Sequence, residues 1–413
     1  MKQSRVHVSE LKLGMYVREL DCPWEKSSFL FQGFTLETPN DIAAVQDECE
    51  YVVVDFLTHE PQNQKKSGDT AMLNSSPILD VDPSLGFAKD FEQAGDVHQK
   101  AESAVGELFG DMKLANTVDG DAVKGVVEDC VSSILKNPDA ILWYTQIQNK
   151  DDALSRHSLN VTILSIALGR HLKLREYELN DLGTCALLHD VGKTHVPLEV
   201  LRKDSQLTDR ESQIMKSHTL EGRNILLSSK SVFSGAADVA FSHHEHVDGS
   251  GYPRRVNAKS IPYYSKIVAL ANRYDNLVKT ESFGQTCSTT EALQTIFNEK
   301  GTKFDEALTT GFIECLGVYP PGTLIEMNNG EVGIVLSNAS ENKLQPRVIL
   351  VLDENKDPQP QRVVDLSRWI TNSAGEPYSI KATLRNKTYD VDIEDYIRAG
   401  LRIEGMSAAN SAD

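Results

Sequence analysis

The chain has 413 residues, 40% of them apolar and 25% charged, and a formal net charge of −18 at pH 7. That length holds two or three domains and at least one large core. Acid in such excess excludes nucleic acid and an anionic membrane as partners for the surface as a whole, and no stretch approaches the roughly 18 consecutive apolar residues that a bilayer span needs.

The opening MKQSRVHVSELKLGM has no apolar run of signal-peptide length. The six cysteines (Cys22, Cys49, Cys130, Cys185, Cys287 and Cys315) are scattered, with no C-x-x-C pair. A cytoplasmic protein with reduced thiols is therefore expected. Residues 1–57 read as a small β-rich N-terminal domain: VHVSELKLGMYVREL and FLFQGFTLETPND carry short apolar runs broken by Gly and Pro, and CEYVVVDF predicts a strand. Residues 58–86 are polar and rich in Pro, Ser and Asn, the composition of a linker. Over residues 87–149 the apolar spacing becomes three and four, as in FAKDFEQAGDVHQKAESAVGELFGDM and AVKGVVEDCVSSILKN, which predicts a helical lead-in.

Helical patterning continues through residues 150–316, most clearly in HSLNVTILSIALGRHL, LNDLGTCALLHDVG and YYSKIVALANRYDNLVK. A capping box at Thr208-Asp209-Arg210-Glu211 starts a helix expected to carry His218 on its second or third turn. Over residues 317–413, GTLIEMNNGEVGIVLSN and QPRVILVLDEN predict strands joined by Asn-Gly turns, and a helix follows from Val391. The fold class expected is multidomain α+β, with an all-helical domain between a small β-rich N-terminal domain and a small β-rich C-terminal appendage.

Chemistry concentrates in the helical region. Eight of the eleven histidines lie between His157 and His246, and residues 191–280 hold 13 Lys and Arg against 9 Asp and Glu in an otherwise acidic chain. His189 and Asp190 end a helix, with Gly192 as its expected stop. Imidazole beside carboxylate suits a first-row transition ion, and a carboxylate can bridge two such ions. Lys193 follows Asp190 by three residues, where its ammonium can hold a phosphate oxygen. His243 and His244 are consecutive, so on a helix they point roughly 100° apart and serve two ions, or one ion and a supporting contact. Singly, His157, His189, His218, His243 and His244 each read as ordinary surface or core residues. On successive helices together they read as a metal site. His246 and Glu245 stay unassigned.

HDVGK at 189–193, HTLEG with His218, HHEHVDGSGYP at 243–253 and KIVALANRYDNL at 266–277 resemble the HD-GYP branch of the HD superfamily of metal-dependent phosphohydrolases. The first residues, with ELKLGMYVREL and PWEKSSFLFQGF, are similar to a small bacterial domain often found ahead of such modules. The resemblance implies an all-helical catalytic domain, two divalent transition ions (iron or manganese), and cyclic di-GMP as substrate, opened to pGpG and cut on to GMP. Cyclic GMP–AMP is the substrate of a minority of relatives. By motif position His157, His189, Asp190, His218, His243 and His244 would be metal ligands, Asp190 the bridge, and Lys193 the holder of the scissile phosphate. Gly251, Tyr252 and Pro253 would serve the substrate opening or a signalling-protein partner.

Several positions depart from that pattern. Asn272 stands where an aspartate ligand is usual, offering a neutral and weaker oxygen. Ala153 stands where an acidic residue supports a third ion. Glu281 and Gly284 replace an Arg and a Lys that commonly contact the nucleotide, which leaves Arg273, Arg254 and Arg255 as candidates to grip substrate. Two further readings follow: a cyclic GMP–AMP phosphodiesterase, and a non-catalytic receptor for a cyclic dinucleotide. A partner protein or a homodimer contact is the expectation for the N-terminal unit.

Overall fold

A computed structural model of the protein describes residues 2–13, 15–21, 34–36, 42–43, 45–46, 49–56, 83–115, 117–146, 153–203, 205–229, 231–279, 287–338, 344–368, 370–372 and 375–399. Residues 58–82 of the expected linker, Cys22, Glu281 and Gly284 lie outside the described residues, and the last four positions of that linker, 83–86, are helical. The chain divides into two compact units, Met1–Asp82 and Pro83–Asp413.

In the first unit, strands β1 (Lys2–His7), β2 (Tyr16–Leu20), β3 (Phe34–Thr35) and β4 (Tyr51–Phe56) form an antiparallel sheet in the order β1-β4-β2-β3. The predicted strand CEYVVVDF is β4, and it pairs with β1 so that Val6 faces Val52 and Ser4 faces Val54. Val52 and Val54 alternate with half-buried Tyr51 and Val53, as a sheet with one covered face requires. Val6, Val8, Leu11, Val17, Leu36 and Val45 complete that small core.

The second unit opens with a long helix, α1 (Pro83–Ala115), which begins four residues before the periodicity predicts. It is followed by α2 (Gly120–Lys136) and α3 (Pro138–Tyr144). Asp119 and Asn137 cap α2 and α3 with their side chains, and Pro138 takes the first turn of α3, where its missing N–H costs nothing. Next come α4 (Ala153–His171), α5 (Glu176–Leu188), the short α6 (Leu198–Leu201), α7 (Asp209–Lys216), α8 (His218–Ser228), α9 (Gly235–Ser242), α10 (Tyr263–Lys279), α11 (Thr289–Asn298) and α12 (Glu306–Leu316).

Helix α4 is the axis of this unit. Every residue from Ser155 to Gly169 is buried, and α2, α5 and α10 pack around it. A helix enclosed on all sides has no face for solvated polar groups. Ser158 Oγ and Ser165 Oγ are buried with no hydrogen-bond partner among the described residues, while two other polar side chains bond internally. Thr162 donates to the Ser158 carbonyl, and Asn160 donates to the Thr145 carbonyl and to Asp275.

Strands β5 (Leu324–Met327), β6 (Val332–Ser337), β7 (Arg347–Leu352), β8 (Pro358–Asp365) and β9 (Ile380–Leu384) form an antiparallel sheet in the order β8-β7-β6-β5-β9, and helix α13 (Ile393–Ala399) follows. The sheet is fastened to the helices. Fully buried Trp143 on α3 donates its indole N–H to the Leu336 carbonyl at 2.9 Å. Asn338 donates its amide to the Leu316 carbonyl and its backbone N–H to Asp139. Among the described residues no helix is long and apolar enough to cross a membrane.

Two local expectations are corrected. The helix begun by the Thr208 capping box ends at Lys216, and His218 starts α8 after a break at Ser217. Ser217 turns its hydroxyl back onto the Ile214 carbonyl, which offers the chain a local alternative to continued helix. Gly192 is not a helix stop either. It lies inside a 3-10 segment, Val191–His195, that follows α5 and the capping His189.

Candidate metal centre

Five imidazoles and one carboxylate from four places in the chain converge. His157 comes from α4, His189 and Asp190 from the end of α5, His218 from the first position of α8, and His243 and His244 from the end of α9. They fall into two groups whose ligand atoms lie within 4.8 Å of one another: His157, His189 and Asp190; and Asp190, His218, His243 and His244. Asp190 belongs to both. Its Oδ2 lies 3.4 Å from His157 Nε2 and 3.2 Å from His189 Nε2, and its Oδ1 lies 3.3 Å from His218 Nε2 and 3.5 Å from His243 Nε2.

Helix ends place these groups and also set their tautomers. Nδ1 of His189 lies 2.7 Å from the Ala186 carbonyl, that of His218 2.6 Å from Met215, and that of His243 3.0 Å from Ala240. A carbonyl only accepts, so each Nδ1 carries the proton and each Nε2 presents a lone pair. Nδ1 of His157 is held at 2.6 Å by Asp275. Lone pairs on His218 and His243 therefore face each other across 3.3 Å, and both face a carboxylate oxygen. His157 Nε2, His189 Nε2 and Asp190 Oδ1 are buried with no hydrogen-bond partner among the described residues. Buried acceptors aimed at one another need a cation between them. Nitrogen donors around one shared carboxylate fit a divalent transition ion.

Gly192 sets the spacing of two of these segments. A Cβ there would overlap the His218 carbonyl oxygen and the Gly222 nitrogen, so the 3-10 segment and α8 meet backbone to backbone.

The site's electrostatics suit ligation. Burial alone would raise the Asp190 carboxyl, but Lys193, His189 and His157 hold it well below the usual carboxylate range. Burial lowers His189, His243 and His244, and takes His218 to about 4. For His157 burial also lowers, yet Asp190 and Asp275 outweigh it and raise the imidazole. Neutral imidazole is the ligating form, so four of the five are ready at neutral pH.

A stability prediction follows from the sign of these shifts. Between 6.5 and about 4 the unfolded chain takes a proton that folded His218 refuses, so its contribution is complete above 6.5 and drains away as pH falls toward 4. His98, lowered to about 4 chiefly by burial, acts the same way, while His157 opposes. The melting temperature of metal-stripped protein should therefore fall as pH drops from about 6.5 toward about 4. A flat or rising profile in thermal melts would contradict the buried neutral imidazoles.

Lys193 sits on the 3-10 segment, one-fifth exposed, with its ammonium on Asp190 Oδ2. Asn272 is buried, and its Oδ1 accepts from Asn276 at 2.6 Å. Arg273 is held by both carboxylate oxygens of Glu299, at 2.8 and 3.0 Å. Ala153 is an exposed methyl at the start of α4. Arg254 donates to Ser242 Oγ at 3.0 Å, and Arg255 is exposed with positive φ. Tyr252 stacks on His244 with ring centroids 4.6 Å apart, and Lys216 lies 5.3 Å from the same ring. His246 Nδ1 lies 2.9 Å from Ser250 Oγ and joins neither ligand group.

Two residues carry roles that sequence reasoning did not assign. Asp275 orients His157 and is itself held by Lys279 at 3.1 Å. It stands one turn beyond Asn272 on α10, a spacing that could have flagged it. Glu245 is 2% exposed and accepts the backbone N–H groups of Arg254 and Val256 at 2.7 and 3.1 Å.

Comparison with known proteins agrees with this geometry. The HD domain family matches residues 142–308, and a domain of unknown function (DUF3391) matches residues 3–123. A cyclic di-GMP phosphodiesterase of Pseudomonas aeruginosa is 28% identical over 88% of this chain and 89% of its own length. A cyclic di-GMP phosphodiesterase of Thermotoga maritima is 32% identical over 40% of this chain and 45% of its own. A 3'3'-cGAMP-specific phosphodiesterase of Vibrio cholerae is 31% identical over 41% of this chain and 33% of its own. The chain thus spans nearly all of the first relative and less than half of the other two.

Proposed function

We propose that the chain, whose residues 142–308 match the HD domain family, is a phosphodiesterase of the HD-GYP type that opens cyclic di-GMP to linear pGpG and cuts it on to GMP. The observation that carries this reading is Asp190, one buried carboxylate shared by two groups of ligand atoms. His157, His189 and Asp190 would hold one divalent ion, and Asp190, His218, His243 and His244 a second. Iron or manganese suits that mixture of imidazole and carboxylate. Such ions would supply Lewis-acid polarisation of a phosphoryl oxygen and acidify water.

The chain's own side chains do the rest. Lys193 moves its ammonium from Asp190 to a non-bridging oxygen of the scissile phosphate, where it offsets the charge that develops on reaction. Asp275 keeps His157 Nε2 turned toward Asp190. Tyr252 lies at the substrate opening, and Gly251, Tyr252 and Pro253 could also meet a signalling-protein partner. For Arg273 to bind substrate it must exchange Glu299 for a phosphate. Net charge does not oppose the reading, because bound cations dominate the local field. The assignment of residues 150–316 as the catalytic domain, a cytoplasmic location, and a homodimer or partner contact through the N-terminal unit belong to the same proposal.

A second reading, turnover of cyclic GMP–AMP, is favoured by the Vibrio cholerae relatives named for that substrate. A third, a receptor without turnover, rests on Asn272, whose oxygen is neutral and already engaged. Rates for manganese- or iron-loaded protein with each dinucleotide separate all three. We expect cyclic di-GMP to be consumed and the activity to vanish in His189→Ala. Binding without turnover by metal-replete protein favours the receptor. Turnover that survives His189→Ala excludes this centre.

A further inference from the structure

We propose that Glu245 and Tyr252 act together as positioning residues for His244, so that the loop through Gly251-Tyr252-Pro253 holds one metal ligand in place. The proposal rests on the metal-centre reading above and concerns how one of its ligands is oriented.

A metal-binding imidazole needs a partner that fixes its ring, and that partner is usually a hydrogen bond to the other nitrogen. His189, His218 and His243 each have such a bond to a carbonyl three residues back, and His157 has Asp275. His244 has no side-chain hydrogen bond among the described residues. Ring contacts alone surround it: His243 at 4.2 Å and 46°, His218 at 5.2 Å and 87°, and Tyr252 at 4.6 Å and 17°. The two histidines meet it tilted or edge-on and are themselves ligands. Tyr252 is the near-parallel plane against which the ring lies flat.

Tyr252 comes from a loop, so its position depends on what holds that loop. Glu245 does so. Its carboxylate is buried beside two metal ligands, yet it belongs to neither ligand group. Burying a carboxylate is costly, and here the cost is offset by two charge-assisted bonds, one oxygen to Arg254 N–H and the other to Val256 N–H. The loop is thereby pinned just beyond Tyr252. On the near side, Tyr252 N–H donates to the His244 carbonyl at 3.0 Å. Gly251 allows this close return, since a Cβ there would overlap the His244 carbonyl oxygen and the His246 nitrogen. Lys216 Nζ also lies over the tyrosine ring, 5.3 Å from its centroid. The chain of support runs from Glu245 through the loop backbone to Tyr252, and from its ring to His244.

A role confined to general stability would weaken both ions alike or neither. Positioning of His244 weakens only the ion of the group to which it belongs, Asp190, His218, His243 and His244. The test is titration of metal-stripped full-length protein with manganese alone, counting bound ions and their affinities. Wild type should take up two. In Glu245→Gln, where an NH2 replaces one accepting oxygen, one ion should bind about 10- to 100-fold more weakly while the other is unchanged. Tyr252→Ala should reproduce this without touching the buried carboxylate, and Tyr252→Phe, which keeps the ring, should bind as wild type does. Two ions at wild-type affinity in both Glu245→Gln and Tyr252→Ala, or equal weakening of both ions, overturns the proposal while leaving the metal centre standing. A wild-type protein that takes up no manganese overturns the metal-centre reading and this proposal with it.

Discussion

Asp190→Ala should abolish phosphodiesterase activity and empty the centre of metal. The side chain is fully buried and is the one member common to both ligand groups. Its two oxygens face four imidazoles at 3.2 to 3.5 Å. Without it the imidazoles converge on one another with no negative charge to draw a cation among them. Ion-assisted catalysis supplies several kcal/mol, and each 1.36 kcal/mol is tenfold, so kcat/KM should fall on the order of 10³-fold or more. Elemental analysis of the purified variant, beside its rate with cyclic di-GMP, checks both halves of the expectation. Full metal content in the variant would show that the bridge is dispensable. Asp190→Asn sharpens the result: it preserves shape, removes the charge, and should also lose metal.

Lys193→Ala should behave differently, losing rate while keeping metal. The ammonium touches Asp190 from the 3-10 segment and belongs to neither ligand group. Removing it takes one positive charge from the neighbourhood of the ligands, so affinity for a divalent cation should hold or rise. The transition state, however, loses a cation aimed at phosphoryl oxygen, which costs about 10²- to 10³-fold in kcat. Lys193→Arg should recover only part of this, because a planar fork does not replace a compact ammonium. Metal content equal to wild type with kcat reduced identifies a substrate-facing role. Unchanged kcat would falsify it and leave Lys193 as a counter-ion of Asp190 alone.

The residues that converge at the candidate centre were legible in the sequence because most of them stand at helix ends. His189-Asp190 and His243-His244 each stand where a helical pattern stops, and the structure places them there. The groups that hold the ligands were not legible, because they act across long separations or through backbone. Asp275 lies 118 residues from His157, and no periodicity links the two. The hydrogen bonds of Glu245 go to main-chain N–H groups, which leave no residue-type signature. The break at Ser217 was hidden because no Gly or Pro marks it. Strands β5, β6 and β7 follow from their apolar runs and from the Asn329-Gly330 turn between the first two, whereas β8 and β9 carry no such run and are not predicted. That the sheet is fastened to α3 by the indole of Trp143 does not follow either, since a tryptophan in a helical run reads as core whatever it bonds to.

Gly192 illustrates what a motif letter can encode. The residue has no side chain to offer a metal or a phosphate, and nothing in its charge or polarity recommends it between Asp190 and Lys193. Its part is that of a ruler. Because the main chain at Gly192 presses against the main chain at His218 and Gly222, the separation between the segment that carries Asp190 and the start of α8 is set by peptide dimensions. Side-chain rotamers elsewhere can relax without changing it. The glycine of HDVGK is therefore a distance written in the sequence, and the tolerance of the centre to mutation around it is bounded by the thickness of two backbones.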